Sequence, residues 1–277
     1  MKVFKFGGAS VNSADAVRNM ASIVDQHQSS QLVVVVSAMG KTTNSLEQMI
    51  PGVRPHDEQI GLLHELKQYH FNIIVDLFPD KHHAVYQHVE HLFTKLANQI
   101  SKEPTNYNFD YDQTVSYGEM LSTTIISEYL NLIGINTKWS DVRSIITTDT
   151  NYREGIVDWL STKSNIQSII HELNKHNIVV TQGFIAGTTE DTTTTLGREG
   201  SDYSASILSH CLNAPEMTIW KDVPGFLNAD PKFFTNTIKI NEIPYNEAIE
   251  LAYYGASVIH PKTVKPLQNS NIKLHIK

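Results

Sequence analysis

Lys5-Phe6-Gly7-Gly8-Ala9-Ser10-Val11 follows the apolar stretch Val3–Phe6 and precedes a helical pattern that begins near Ser13. A strand that turns through paired glycines into a helix points backbone N–H groups outward, a favourable seat for phosphate. The glycines permit close backbone approach, and Lys5 adds a mobile positive charge for a phosphoryl group in transit. A second stretch, Gly197-Arg198-Glu199-Gly200-Ser201-Asp202, sets a cation shortly before a carboxylate. Arginine suits bidentate carboxylate recognition, and an aspartate near phosphates commonly holds Mg²⁺.

Working outward from these stretches, the pattern predicts strand 2–6, helix 14–28, strand 32–36, a helix-rich stretch 45–101 and a helix from near Ser116. It continues with strand 137–140, helix 162–176, strand 178–181, helix 202–212, strand 217–220, helix 245–254 and strand 272–275. Strands alternating with helices predict an α/β fold, a three-layer αβα sandwich around a mainly parallel sheet covered on both faces. Ligands of such sheets gather beyond the carboxyl ends of the strands, where nearly every motif falls. Thr188–Thr195 reads equally as a hairpin or a loop. A weak boundary near residue 180 divides the chain, with both halves expected in one continuous sheet.

With 277 residues, 40% hydrophobic, the chain can bury a substantial core. The longest apolar run, Leu32–Val36, is far short of the roughly 20 residues of a membrane span, and no cleavable leader pattern opens the chain. A cytoplasmic protein is expected. The one cysteine, Cys211, excludes an intrachain disulfide and reads as a small buried apolar residue. His82, His83, His88 and His91 read as a solvated helix face rather than a metal site. The net charge of −7 argues against non-specific nucleic-acid binding, so anionic substrates must find local cations such as Lys5, Lys41, Arg198, Lys221 and Lys232.

Ser37–Asn44 contains Gly-Lys-Thr but lacks the glycine a P-loop needs at position 35, which is Val35. What remains is a hydroxyl-rich loop, in which Thr43 or Asn44 could also cap a helix starting near Leu46. Ser116-Tyr117-Gly118-Glu119 has the spacing of a capping box, a reading that competes evenly with a functional carboxylate. Trp220–Lys232 has the turn chemistry of a loop that could hold nucleotide, or of an ordinary surface loop. Gly255 reads as a helix C-cap. The glycines do not spell a dinucleotide fingerprint, and no hydrolytic constellation competes.

Taken together, these segments resemble the amino-acid kinase superfamily and, within it, the aspartate kinases. Lys5–Val11 is similar to K-F-G-G-T-S-V, Ser37–Asn44 to S-A-x-x-x-x-T-N, and Ser116–Glu119 to S-x-G-E. Gly197–Ala205 is similar to G-R-G-G-S-D-Y-S-A, Trp220–Lys232 to W-T-D-V-D-G-x-Y-T-x-D-P-R, and 250–261 to E-L-x-Y-F-G-A-K-x-x-H-P, all in family order.

The resemblance implies transfer of the ATP γ-phosphoryl group to the side-chain carboxylate of L-aspartate, with ATP and Mg²⁺ as cofactors. It opens lysine, threonine and methionine biosynthesis. It assigns Lys5 to the transferring phosphoryl group with Gly7 and Gly8 beside it, Arg198 to a substrate carboxylate and Glu119 to the α-ammonium. Thr43 and Ser201 make further substrate bonds. Asp202 sits near Mg²⁺ and the phosphates, while Ser37, Lys221, Asp222, Leu227, Asp230, Lys232 and Ser257 fall on the nucleotide side. It further implies a substrate-binding lobe over 1–180 with a helical insertion at 45–110, a nucleotide-binding lobe over 181–277, and a homo-oligomeric full-length protein.

Several positions depart from the family. Ala9 and Lys221 stand for threonines, Glu199 for a glycine, Pro224 for an aspartate, Leu227 for a tyrosine, Lys232 for an arginine and Ser257 for a lysine. Glu199 places negative charge beside an anion site, so its side chain is expected to point outward or to pair with a lysine. The family's C-terminal ACT domains are not in this sequence, which reads as a catalytic fragment, either of a monofunctional enzyme or of one fused to homoserine dehydrogenase, or as a short natural form. Acetylglutamate and uridylate kinases lack the joint Ser-x-Gly-Glu and Gly-Arg-x-Gly-Ser-Asp motifs. A non-catalytic nucleotide- or amino-acid-binding module remains the rival from another class.

Overall fold

The computed structural model of the chain describes residues 1–221, 225, 227–228, 234, 236–253 and 259–277. The chain opens with β1 (Lys2–Phe6), α1 (Ala14–Asp25), β2 (Leu32–Val36), α2 (Thr42–Glu47), α3 (His56–Leu77), α4 (Ala84–Ile100), α5 (Tyr107–Val115) and α6 (Tyr117–Leu132). It continues through β3 (Thr137–Ser140), β4 (Thr147–Thr148), α7 (Trp159–Asn165), α8 (Gln167–His176), β5 (Ile178–Gln182), β6 (Ile185–Thr188) and β7 (Thr193–Thr195). It closes with α9 (Gly200–Cys211), β8 (Glu216–Trp220), α10 (Tyr245–Tyr253), α11 (Pro261–Asn269) and β9 (Lys273–Ile276).

The central sheet runs β3-β5-β2-β1-β8-β9, and every pairing in it is parallel. The period-two geometry of a strand explains why β2 is apolar throughout. Leu32, Val34 and Val36 face a core shared with α1, α3, α4 and α6, while Val33 and Val35 face a second core shared with α8, α9 and α11. All five are fully buried, and Leu32→Ala alone should cost about 2–5 kcal/mol. Helices on both faces make the expected three-layer sandwich.

The differences from the sequence reading are local. The helix expected over 162–176 is two helices, because Asp158 starts a turn earlier by accepting bonds from the Leu160 and Ser161 N–H groups, and Ile166 joins α7 to α8. The threonine-rich stretch is a hairpin: β6 and β7 pair antiparallel, with Thr148 on the other side of β6. Asn106 caps α5, a helix not resolved in the sequence reading, which runs through Ser116 into α6. His83 caps α4 and His88 faces Glu128 at 3.0 Å. Cys211 is buried. Among the described residues no helix is long and apolar enough to cross a membrane.

Candidate active site

The carboxyl ends of β1, β2 and β5 and the first turn of α9 surround a cleft of about 980 Å³. Lys5, the penultimate residue of β1, is only 5% exposed, and its ammonium lies 2.6 Å from Asp202 Oδ1. The expectation of a mobile charge is therefore corrected: Lys5 is pinned by a buried carboxylate. Asp202 is also 2.9 Å from Lys221, which follows β8. Burial opposes ionisation of Asp202, but the charges of Lys5 and Lys221 overcome it and hold the carboxyl below its ordinary range.

Gly8 owes its identity to packing. A Cβ there would stand 2.6 Å from the Ala38 carbonyl oxygen, and the Gly40 N–H already donates to the Gly8 carbonyl at 3.0 Å. The loop after β1 is thus laced to the loop after β2, which brings Ser37 and Thr43 to the cleft. Gly7 borders Lys5 Nζ, which would lie 3.5 Å from a Cβ at that position.

Neither Thr43 nor Asn44 caps a helix. Helix α2 already begins at Thr42, with Lys41 as its N-cap, and both side chains line the cleft. The capping box at Ser116 is likewise absent, since the chain is helical through that residue and its hydroxyl donates to Gln113 O. Glu119 turns instead to the β2 loop, where Oε1 accepts the Ala38 N–H at 3.1 Å. Gly118 permits this approach, because a Cβ would stand 2.8 Å from Ala38 Cβ. Glu119 is 2% exposed, and Oε2 has no hydrogen-bond partner. Burial pushes its carboxyl up to about 8, against the opposing pull of the Ala38 N–H and Lys5.

Arg198 stands exposed at the rim, and Ser201 is buried on the first turn of α9. Glu199 occupies the left-handed region at φ 54° and lies 3.7 Å from Lys221, so the expected pairing with a lysine is present. The cleft therefore brings Lys5, Gly8, Ser37, Thr43, Glu119, Arg198, Ser201 and Asp202 together. Leu227 is half-buried and bridged to Lys239, away from the lining. Asp222, Asp230, Lys232 and Ser257 lie outside the described residues.

The sequence reading missed Asp112, Arg153, Phe184 and Thr195. Buried Asp112 accepts from the Arg153 N–H at 2.8 Å, the Thr195 N–H at 3.0 Å and the Thr195 hydroxyl at 2.7 Å. It thereby fixes two cleft-lining residues from different strands and loops. Phe184, at φ 66°, is a bulky residue in left-handed backbone at the cleft wall, where strain tends to collect. Neither feature has a local signature, since both follow from contacts distant in sequence.

No all-protein metal cage forms among the described residues, whereas a Mg²⁺ carried by nucleotide phosphates needs only one or two carboxylates. No cluster of three or more ligating side chains occurs among the described residues, and the Asp202 oxygens each meet an ammonium group.

The sequence profile of the amino acid kinase family matches residues 1–277. The chain is 33% identical over 282 residues to the lysine-sensitive aspartokinase 3 of Escherichia coli, covering 99% of this chain and 60% of that one. It is 32% identical to a bifunctional aspartokinase/homoserine dehydrogenase of Buchnera aphidicola, covering 100% of this chain and 35% of that protein. It thus spans between about a third and three fifths of these curated relatives. The crystal structure of E. coli aspartokinase III in complex with aspartate and ADP superposes with a TM-score of 0.90 at 33% identity, over 100% of this chain and 61% of that one. With agreement in sequence and fold running from end to end, the chain belongs to the amino acid kinase family.

Proposed function

We propose that this chain transfers the γ-phosphoryl group of ATP to the β-carboxylate of L-aspartate, giving 4-phospho-L-aspartate and ADP, the entry step toward lysine, threonine and methionine. The observation that carries this reading is one cleft with two unlike buried carboxylates: Asp202, paired with lysines, and Glu119, with an oxygen left open. The first supports cations for a phosphoryl group. The second waits for a cation, which the α-ammonium of an amino acid supplies.

In the step, a β-carboxylate oxygen of aspartate attacks the γ-phosphorus. The new O–P bond forms as the bond to the β–γ bridging oxygen breaks, and its electron pair leaves on ADP. The nucleophile is already ionised at neutral pH, so no base is needed and catalysis reduces to positioning and charge neutralisation. Lys5 takes the transferring phosphoryl group, with Gly7, Gly8 and Ser37 alongside. Glu119 takes the α-ammonium, Arg198 a substrate carboxylate, and Ser201 and Thr43 further substrate bonds. Residues 1–180 then form the substrate side. Residues 181–277, apart from Arg198 and Ser201 at the substrate, form the nucleotide side with Asp222, Asp230 and Lys232.

Hydroxylamine trapping tests the reading. Purified protein with ATP, Mg²⁺ and L-aspartate should give aspartyl hydroxamate, whereas L-glutamate and N-acetylglutamate should give none. Absence of product with all three acceptors overturns it.

A further inference from the structure

We propose that Lys262 is a positioning residue for the amino-acid substrate: from the first turn of α11 it fixes the backbone turn that carries Arg198. The inference rests on the assignment of Arg198 to a substrate carboxylate, and it begins from His260-Pro261-Lys262, a stretch to which the proposed function gives no part. His260 caps α11 by accepting the Lys262 N–H at 3.2 Å, and Pro261 takes the first helical position. Lys262 therefore stands in the first turn, the end of a helix where the backbone dipole disfavours a cation. No acidic residue in that turn offsets this, and among the described residues no carboxylate pairs with its ammonium. A local rule broken in this way points to a tertiary cause.

The cause lies where the ammonium goes. Lys262 is half-buried, and its Nζ donates to the Leu196 carbonyl at 2.9 Å while lying 5.0 Å from the ring centre of Tyr203 on α9. Leu196 is fully buried, and its own N–H donates to the Phe184 carbonyl at 2.8 Å, so both backbone polar groups of this residue are held. The turn begins with the next residue. Gly197 at φ 77° and Glu199 at φ 54° are both left-handed with Arg198 between them, and the Gly200 N–H closes the turn on the Gly197 carbonyl at 3.0 Å.

Arg198 is exposed at the cleft rim, so the backbone on either side of it decides where its guanidinium points. One end of the turn is anchored by β7, where the Leu196 N–H is bound, and the other by α9, which starts at Gly200. Between them, glycine at 197 tolerates either sign of φ, which leaves the Leu196–Gly197 peptide able to rotate and to swing Arg198 with it. Lys262 removes that freedom by holding the Leu196 carbonyl. A lysine 66 residues away along the chain thus acts on the substrate through Arg198 without touching it.

Kinetics of hydroxamate formation test this. Lys262→Met should raise the KM for aspartate about tenfold with kcat within about threefold of the parent, and Lys262→Arg, which still donates to a carbonyl, should bring KM back to within about threefold. In an Arg198→Ala background Lys262→Met should add less than about twofold, because a residue that acts through Arg198 has nothing left to position. A full effect of Lys262→Met in both backgrounds would mark a merely structural lysine and overturns the proposal, as does an unchanged KM in the single variant. If Lys262→Met fails to fold, Lys262→Gln, a neutral donor on a shorter stem, should show the same pattern at about three- to fivefold. NMR of protein labelled at glycine nitrogen reads the turn without turnover. The Gly197 amide resonance should move in Lys262→Met and return in Lys262→Arg, and a resonance that stays put overturns the proposal whether or not the parent forms hydroxamate. A parent that forms none fails the aspartate reading itself, so the two failures remain distinguishable.

Discussion

Asp202 and Glu119 are both buried carboxylates of the same cleft, and their surroundings push them in opposite directions. Asp202 faces two ammonium groups and is held ionised. Glu119 receives one backbone N–H, leaves its second oxygen unpartnered and is pushed up to about 8. A pair of titratable groups driven apart by environment separates roles within a site. The ion-paired carboxylate organises cations before any ligand arrives. The unsatisfied one stores a cost that a cationic ligand relieves.

The most forceful way to break this contrast is to remove the cation that satisfies Asp202. Lys5→Met should reduce kcat by about 10²–10³-fold while leaving the KM for aspartate nearly unchanged, as measured by hydroxamate formation. A change confined to KM would place Lys5 at the amino-acid end instead.

Glu119→Gln attacks the other side. It should raise the KM for aspartate by about 10–100-fold, since a neutral amide pairs poorly with an ammonium. The same variant should be more stable than the parent above acid pH. The folded-state value of about 8 lies above the ordinary 4.5, so the unfolded chain releases this proton first. Stability from Glu119 is full below 4.5 and is lost as the pH rises toward 8, by an amount on the order of a few kcal/mol. Denaturant titrations at pH 5 and pH 8 should show the parent falling relative to Glu119→Gln; parallel curves would show that Glu119 ionises normally.

The contrast sharpens further in the protons exchanged on binding. Burial raises the ligand-free Glu119 carboxyl toward its protonated form, and an arriving ammonium favours the carboxylate, so aspartate binding near pH 7 should release up to about one proton. Calorimetry in buffers of different ionisation enthalpy measures this, and Glu119→Gln should abolish it. The ADP end should show no comparable release, because Asp202 is already ionised.

The smallest effect concerns the backbone beside the pair. Glu199 adopts φ 54°, ψ 28°, a conformation that favours glycine, so Glu199→Gly should change stability by no more than about 1 kcal/mol in the stabilising direction. A clear loss in thermal unfolding would mean that the 3.7 Å contact to Lys221 outweighs the strain.

Local sequence determined the sheet and the motifs on it. The five-residue apolar run of β2 can be buried on both faces only in a covered parallel sheet, and strand residues 137–140 match their expected bounds. Glycine-bearing turns and the family resemblance placed Lys5, Ser37, Thr43, Glu119, Arg198, Ser201 and Asp202, and the structure brings all of them to one cleft.

What sequence could not decide was the state of those groups. Ser116 and Glu119 have capping-box spacing, yet α5 continues through Ser116 and frees Glu119 for Ala38, which is distant in the chain. Lys5 reads as a mobile cation until Asp202 is found 2.6 Å away. Asp112 carries no motif, because its importance lies in joining Arg153 and Thr195. Periodicity and turn chemistry act between neighbours along the chain. Desolvation and ion pairing depend on which distant segments close over a group, and only the tertiary structure decides that.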